Sequence, residues 1–202
     1  MDENQISYEE IDREIEERAA DRRRRRPHEI FDFSELIIIT LSVIVLITLF
    51  LFRQTIVSGG SMDTTLLDGE HLIISDLLYT PKQGDIVVLQ VTDEMAAKYP
   101  QLSENEAIIK RVIATEGQTV GIVNGTVYVD GAPLDESYVT RDGFDSHANM
   151  PTRTVSEGHL FVLGDHRNSS LDSRYFGEVD ERTVIGKALF RFLPFSRFGG
   201  IS

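Results

Sequence analysis

The longest apolar run of the chain lies near its N-terminus. Residues 36–52, LIIITLSVIVLITLFLF, contain 17 uncharged residues, and a helix of that length spans about 26 Å, close to the roughly 30 Å hydrocarbon core of a bilayer. The run lacks the polar face that a buried helix of a soluble domain usually has. It also lies too far from residue 1 for a typical cleavable signal peptide. The pattern therefore predicts one uncleaved transmembrane helix over residues 31–53.

Charged residues beside this run predict its orientation. Five consecutive arginines, residues 22–26, precede the run, and Arg53 follows it. Such an arginine cluster could also be a nucleic-acid or localisation signal, but its position beside an apolar run favours topology. The positive-inside rule then predicts that residues 1–30 form a charged cytoplasmic tail and that residues 54–202 lie outside the membrane. Within this tail, residues 2–26 are expected to be partly helical, and Pro27 is expected to end that stretch.

After this run the pattern changes to short apolar segments, rich in β-branched residues, that alternate with turn signals. These segments predict strands at residues 71–75, 85–90, 107–115, 159–165 and 184–192, with a further pair around Asn124-Gly125. The pairs Asn124-Gly125 and Asp130-Gly131 predict tight turns, the first of type I′. Two polar segments predict a loop or short helical insert and a turn-rich connection, at residues 92–105 and 135–157. The sequence therefore favours a mainly β, antiparallel, barrel-like domain.

The composition of the chain argues against several classes of function. The formal net charge is -13, which argues against broad nucleic-acid binding. The chain has no cysteine, so a disulfide scaffold, a cysteine nucleophile and thiolate metal sites are excluded. We expect neither a metal nor a cofactor.

A serine preceded by two glycines is the first candidate for catalysis. Ser61 lies in SGGSMDTT, residues 58–65, and is either an ordinary loop hydroxyl or a nucleophile, which needs a base nearby. Lys110 interrupts a predicted apolar strand; it either extends its ammonium group to solvent or is desolvated and serves as a neutral amine. Histidine is the usual alternative base, and the outer domain offers His71, His147, His159 and His166.

A second candidate feature is the polar segment GDHRNSSLDSRYFG, residues 164–177, which follows an apolar strand. It is either a solvated turn or a hydrogen-bonded network beside a catalytic group. Together with SGGSMDTTL (58–66) and KRVIATEGQTV (110–120), it resembles, in the same order, the sequence blocks of type I signal peptidases. The resemblance extends from the apolar run to about Gly199, and three ordered blocks are far more specific than a single motif.

The resemblance implies a membrane-anchored serine endopeptidase with a Ser-Lys dyad. Such an enzyme removes N-terminal signal peptides from secreted preproteins after A-x-A-like sites, so the implied partners are preproteins and membrane lipids. Ser61 would be the nucleophile, Lys110 the general base, and Ser170 would orient the lysine amine. The backbone N–H of Ser61 would be one oxyanion donor. Some members have a second donor, a hydroxyl, at the position of Gly59, and Ser58 is one residue away from it.

Three further residues have structural roles by the same resemblance. Asp172 and Arg174 would form a salt bridge that holds their loop, and Gly164 would leave room for the lysine. Thr64 departs from the family pattern, which has proline at that position, and so lacks a fixed φ. We therefore keep open an alternative, a catalytically impaired membrane-anchored homologue that acts as a binding module. Self-cleaving repressors also use a Ser-Lys dyad, but the short acidic tail does not fit a DNA-binding domain.

The aromatic C-terminal segment, residues 189–200, is too short and too charged to be a second span. Leu189 and Phe190 are expected to complete the β core. Leu193, Phe195 and Phe198 are expected to enter the membrane interface, with neighbouring arginines near anionic head groups.

Overall fold

The structure, a computed structural model, describes residues 8–51, 53–140 and 149–201. Its contacts divide the chain into two compact units, Met1–Phe50 and Leu51–Ser202. The first unit contains one helix, α1, at Tyr8–Leu51. The charged and apolar segments of the N-terminal region thus belong to one continuous helix, and the expectation that Pro27 ends the charged segment is wrong.

The predicted transmembrane helix over residues 31–53 is not supported. Among the residues that the structure describes, no helix is both long enough and apolar enough to cross a membrane. The predicted ends also differ from the observed ones, because α1 begins at Tyr8 within the charged segment and ends at Leu51.

The second unit is mainly β. Its strands are β1 (Arg53–Ile56), β2 (His71–Ser75), β3 (Ile86–Gln90), β4 (Ala107–Thr115), β5 (Thr119–Val123), β6 (Thr126–Val129), β7 (Ala132–Pro133), β8 (Met150–Thr154), β9 (His159–Leu163), β10 (Val179–Asp180), β11 (Val184–Leu193) and β12 (Gly199–Gly200). Two short α-helices, α2 (Asp93–Lys98) and α3 (Ser173–Phe176), and three 3₁₀ turns, Arg167–Ser169, Glu181–Thr183 and Phe195–Arg197, connect them.

The strands form two antiparallel sheets. The larger sheet has the order β1-β2-β11-β3-β4-β9-β10, with β12 paired to β11, and the smaller has the order β7-β6-β5-β8. All pairings between these strands are antiparallel, so the predicted antiparallel, mainly β class is confirmed. Over the described residues the larger sheet runs from β1 to β10.

Most strand predictions agree with these boundaries. Both predicted turns have the positive φ angles that tight hairpins need, with φ of 49° and 79° at Asn124 and Gly125 and of 52° and 79° at Asp130 and Gly131. The segment at 92–105 contains α2, whose N-cap is the side chain of Thr92. The connection at 135–157 was predicted without a strand but contains β8, which pairs with β5 although four of its five residues are exposed.

Strand β4 lies inside the larger sheet, between β3 and β9. All its residues from 108 to 114 are buried, as expected for a strand that is covered on both faces. One apolar cluster packs β4 and β9 against the smaller sheet, and another packs under the segment that carries Ser61. Lys110 therefore lies in a buried part of the fold.

Candidate active site

Ser61 lies in a compact turn that is fixed from below by apolar side chains. The N–H of Asp63 donates to the Gly60 carbonyl oxygen at 3.2 Å, and the N–H of Leu66 donates to the Met62 carbonyl oxygen at 2.9 Å. Met62 and Leu66 are 1% and 0% exposed and belong to the apolar cluster under the turn. These anchors leave Ser61 itself partly exposed, where a substrate can reach its hydroxyl.

Lys110 meets Ser61 from strand β4. Its Nζ lies 2.8 Å from the Ser61 Oγ, within hydrogen-bonding distance. The lysine is 4% exposed, and burial lowers its pKa from 10.5 to about 8, with Arg174 lowering it further and the carboxylates of Asp172 and Asp165 opposing the shift. A lysine with such a pKa is partly neutral near neutral pH, so its amine can accept the Ser61 proton.

The histidines do not occupy this position in the described structure. The His71 ring is hydrogen-bonded to Gln54 at 2.9 Å, and the His159 ring to the Glu157 carbonyl oxygen at 2.7 Å. His166 donates its backbone N–H to the Ser61 carbonyl oxygen at 3.1 Å, a contact that leaves the reactive hydroxyl to the lysine. His147 lies outside the described residues.

Ser170 and Gly164 lie beside the Ser61 turn in an arrangement that differs from the predicted one. Ser170 is 6% exposed, and its Oγ has no hydrogen-bond partner among the described residues, so the expected bond to the Lys110 amine is not formed. A Cβ at Gly164 would lie 2.2 Å from the Ser170 Oγ and 2.5 Å from the Ser61 carbonyl oxygen. The glycine therefore makes room for Ser170 and the nucleophile's backbone, whereas the lysine was expected to need that space.

Asp172 and Arg174 form the ion pair that the sequence blocks implied. The Arg174 Nε and Nη2 atoms each lie 2.8 Å from one Asp172 carboxylate oxygen, and both side chains are buried. Asp172 also accepts the N–H of Gly164 at 3.1 Å, and Arg174 donates to the Arg167 carbonyl oxygen at 2.6 Å. The pair thus ties the 164–177 loop together, and Asp172 also caps α3.

A second buried ion pair was not predicted. Arg111 binds Asp165 through two hydrogen bonds, of 2.9 and 2.7 Å, and stacks on the Tyr138 ring at 3.9 Å from its centroid. Asp165 also accepts the hydroxyl of Thr65 at 2.6 Å. This network links the residue after Lys110 to the Ser61 turn. Its sequence signal was an arginine, next to Lys110, inside a mostly apolar strand, because a buried arginine needs an acidic partner.

The candidate oxyanion donor is the backbone N–H of Ser61. In the described structure the N–H of Ser61 has no acceptor, so it is available to a developing oxyanion. Gly59 has no hydroxyl, and its N–H donates to Asp68 at 2.8 Å. Ser58 is exposed. The arrangement therefore brings together a partly exposed hydroxyl, a buried amine and a backbone N–H, the three groups that a serine hydrolase of the Ser-Lys type would need.

Comparisons with known proteins give the family. The model of the family "Signal peptidase, peptidase S26" matches residues 30–193. "Probable signal peptidase I-1" of Synechocystis sp. is 38% identical over 81% of this chain and 83% of its own. "Signal peptidase I" of Bacillus licheniformis is 34% identical over 85% and 92%. A crystal structure of a signal peptidase I from Enterococcus faecalis, 30% identical, covers 54% of this chain and 97% of its own, with a TM-score of 0.42.

The chain belongs to the signal peptidase family, peptidase S26. The resemblance inferred from the three sequence blocks is confirmed, and so is the predicted class of serine endopeptidase.

Proposed function

We propose that this protein removes signal peptides from secreted preproteins by a Ser61–Lys110 dyad. The observation that carries the proposal is the 2.8 Å contact between the Ser61 Oγ and the Nζ of a lysine that is 4% exposed. The substrate class, preproteins, is inferred from membership of the family. Cleavage after A-x-A-like sites is inferred on the same ground.

The geometry supports a two-step reaction. The Ser61 oxygen attacks the scissile carbonyl carbon while its proton passes to the neutral Lys110 amine, and the Ser61 N–H stabilises the oxyanion. The ammonium then returns this proton to the leaving nitrogen as the C–N bond breaks. A water molecule, activated by the same amine, hydrolyses the acyl-serine. The role of Ser170 in orienting the Lys110 amine is taken from the family, and its buried Oγ, which has no hydrogen-bond partner among the described residues, is free to bond that amine during the reaction.

The membrane-anchored arrangement remains part of the proposal. Residues 1–30 would be cytoplasmic, residues 31–53 would hold the protein at the membrane, and residues 54–202 would act outside. The support is the uncharged run at 36–52 and the order of the flanking charges. Protease added to intact spheroplasts should digest the outer part of the chain. Protection of that part, together with cleavage of the N-terminal tail, would contradict the orientation.

The dyad is tested with full-length protein in detergent and a peptide that spans an A-x-A site. Ser61→Ala and Lys110→Ala should each abolish cleavage without lowering the melting temperature appreciably. Lys110→Arg should also be inactive, because a guanidinium group stays protonated at any working pH. Near-normal turnover by Lys110→Ala would exclude the dyad. A wild-type protein that binds the peptide but does not cleave it would favour the alternative, an impaired homologue that acts as a binding module.

A further inference from the structure

The C-terminal segment brings two arginines to one buried carboxylate. Glu70 is 2% exposed, and its carboxylate accepts a hydrogen bond of 2.9 Å from Nη1 of Arg191 in β11. Nη1 of Arg197, in the following 3₁₀ turn, lies 2.7 Å from the other carboxylate oxygen, an ion pair without hydrogen-bond geometry. Arg191 also donates through its Nε to the Arg197 carbonyl oxygen at 2.6 Å. We call Glu70, Arg191 and Arg197 the arginine clamp.

The clamp holds the backbone that follows the nucleophile. Arg191 donates to the Thr65 carbonyl oxygen at 3.1 Å. Arg197 donates to the carbonyl oxygen of Thr64 at 3.2 Å and makes a longer contact of 3.4 Å to that of Thr65. A guanidinium group suits this task because its donors form a rigid fork that binds several oxygens at once. Thr64 and Thr65 are thus fixed by residues more than a hundred positions away in the sequence.

This part of the turn needs support from outside. Thr64 occupies the position at which the family pattern has proline, so its φ is not fixed by a ring, and its side chain is exposed. On the opposite side, Thr65 is held through its hydroxyl by Asp165. The turn from Gly60 to Leu66 is closed by its own hydrogen bonds, so a shift at residues 64 and 65 is transmitted to Ser61.

We propose that the arginine clamp positions Ser61 for attack and thereby sets kcat. This inference rests on the proposed dyad. In the described structure the hydrogen bonds and ion pairs of Glu70, Arg191 and Arg197 do not involve Ser61 or Lys110, so these three are positioning residues. Displacement of a reacting group by about 1 Å can cost on the order of a hundredfold in rate, and loss of the clamp lets the turn move while both reacting groups remain present.

The main test is Arg197→Gln in the full-length protein, assayed with a peptide that contains an A-x-A site. We expect kcat to fall about tenfold or more, with KM within about twofold of wild type. The midpoint of the pH–rate profile should stay the same, because Lys110 keeps its burial and its charged neighbours. The kcat of Arg197→Lys should lie between those of wild type and Arg197→Gln. A lysine retains the charge, but it lacks the forked donors with which arginine contacts Glu70 and the two carbonyl oxygens.

Chemical rescue separates positioning from a general loss of stability. The Arg197 side chain is 31% exposed, so millimolar methylguanidinium should enter the space left in Arg197→Ala and restore part of kcat. The matched control is Arg182→Gln, which breaks another arginine–carboxylate pair, with Asp180, whose arginine is 90% exposed. We expect this control to keep wild-type kinetics and to show no response to methylguanidinium.

Several outcomes would contradict the proposed role of the arginine clamp. These are an unchanged kcat in folded Arg197→Gln, an increase in KM alone, or a shifted pH midpoint. If Arg197→Gln does not fold, the decision rests on Arg197→Lys, which must then show a lower kcat at an unchanged melting temperature. Failure of the dyad proposal can be distinguished from failure of the clamp proposal. If the dyad is wrong, Lys110→Ala retains cleavage, whatever the kinetics of the clamp variants.

Discussion

Replacing Lys110 by methionine should separate the lysine's role in catalysis from its effect on stability. The lowered pKa of Lys110, about 8 instead of 10.5, means that the folded state disfavours the ammonium form. One pKa unit corresponds to about 1.4 kcal/mol. At a pH where Lys110 is charged in the folded and the unfolded state, its burial therefore lowers the free energy of unfolding by roughly 3 kcal/mol. Methionine has a similar length and no charge, so Lys110→Met should be inactive but more stable near pH 7.

The sign of the pH dependence follows from proton binding. Between pH 8 and 10.5 the unfolded chain holds the Lys110 proton more strongly than the folded protein does, so wild-type stability gains from this group as pH rises. Below about pH 8 the destabilisation caused by burying the charged Lys110 is fully present, and above pH 10.5 it disappears. The stability advantage of Lys110→Met should therefore narrow by about 2 kcal/mol between pH 7 and pH 9.5.

Urea denaturation of wild type and Lys110→Met at these two pH values, followed by tyrosine fluorescence, measures this difference. Comparison of the two proteins cancels the other titrating groups. In parallel, wild-type kcat/KM should rise with pH, with a midpoint near 8, because only the neutral amine is a base. A stability difference that does not change with pH, or cleavage that stays flat from pH 5 to 9, would refute the desolvated lysine.

Two further predictions concern packing. Gly164→Ala should lower stability by about 1–3 kcal/mol and reduce cleavage, because its Cβ would overlap Ser170 and the Ser61 carbonyl oxygen; a variant with wild-type melting temperature and rate would contradict the tight contact. Phe195→Ser combined with Phe198→Ser should leave the melting temperature nearly unchanged, since these rings are 81% and 61% exposed, but should weaken the binding of residues 54–202 to anionic vesicles. A collapse of stability would place the rings in the core.

The C-terminal aromatics illustrate a partly correct sequence prediction. Phe195 and Phe198 are exposed, as expected from the proline that ends the strand before them. Leu189 and Phe190, which were expected to complete the core, are only half-buried. Phe190 packs on Phe198 at 5.9 Å between ring centroids. Alternation along one strand does not reveal how fully the sheet is covered at that point, so the degree of burial could not be predicted.

The sequence by itself determined the local features of this protein. β-branched runs bounded by turn residues placed β4 at its observed limits, and Asn-Gly and Asp-Gly pairs placed the hairpin turns, because these signals act over a few residues. Ser61, Lys110 and the 164–177 loop were found because their residue types are chemically unusual where they occur. The strand β8 was missed because four of its five residues are exposed and its sequence carries no alternating apolar pattern.

Tertiary structure alone decided what surrounds the reacting groups. Strand order places β11 between β2 and β3, and this long-range pairing brings Arg191 to Glu70 and to the Ser61 turn. The same packing excludes water from Lys110 and so lowers its pKa. This burial depends on several segments, so no single segment of the sequence predicts it. Ion pairs between distant residues leave no periodic trace in the chain, because their partners meet only when the sheet has assembled.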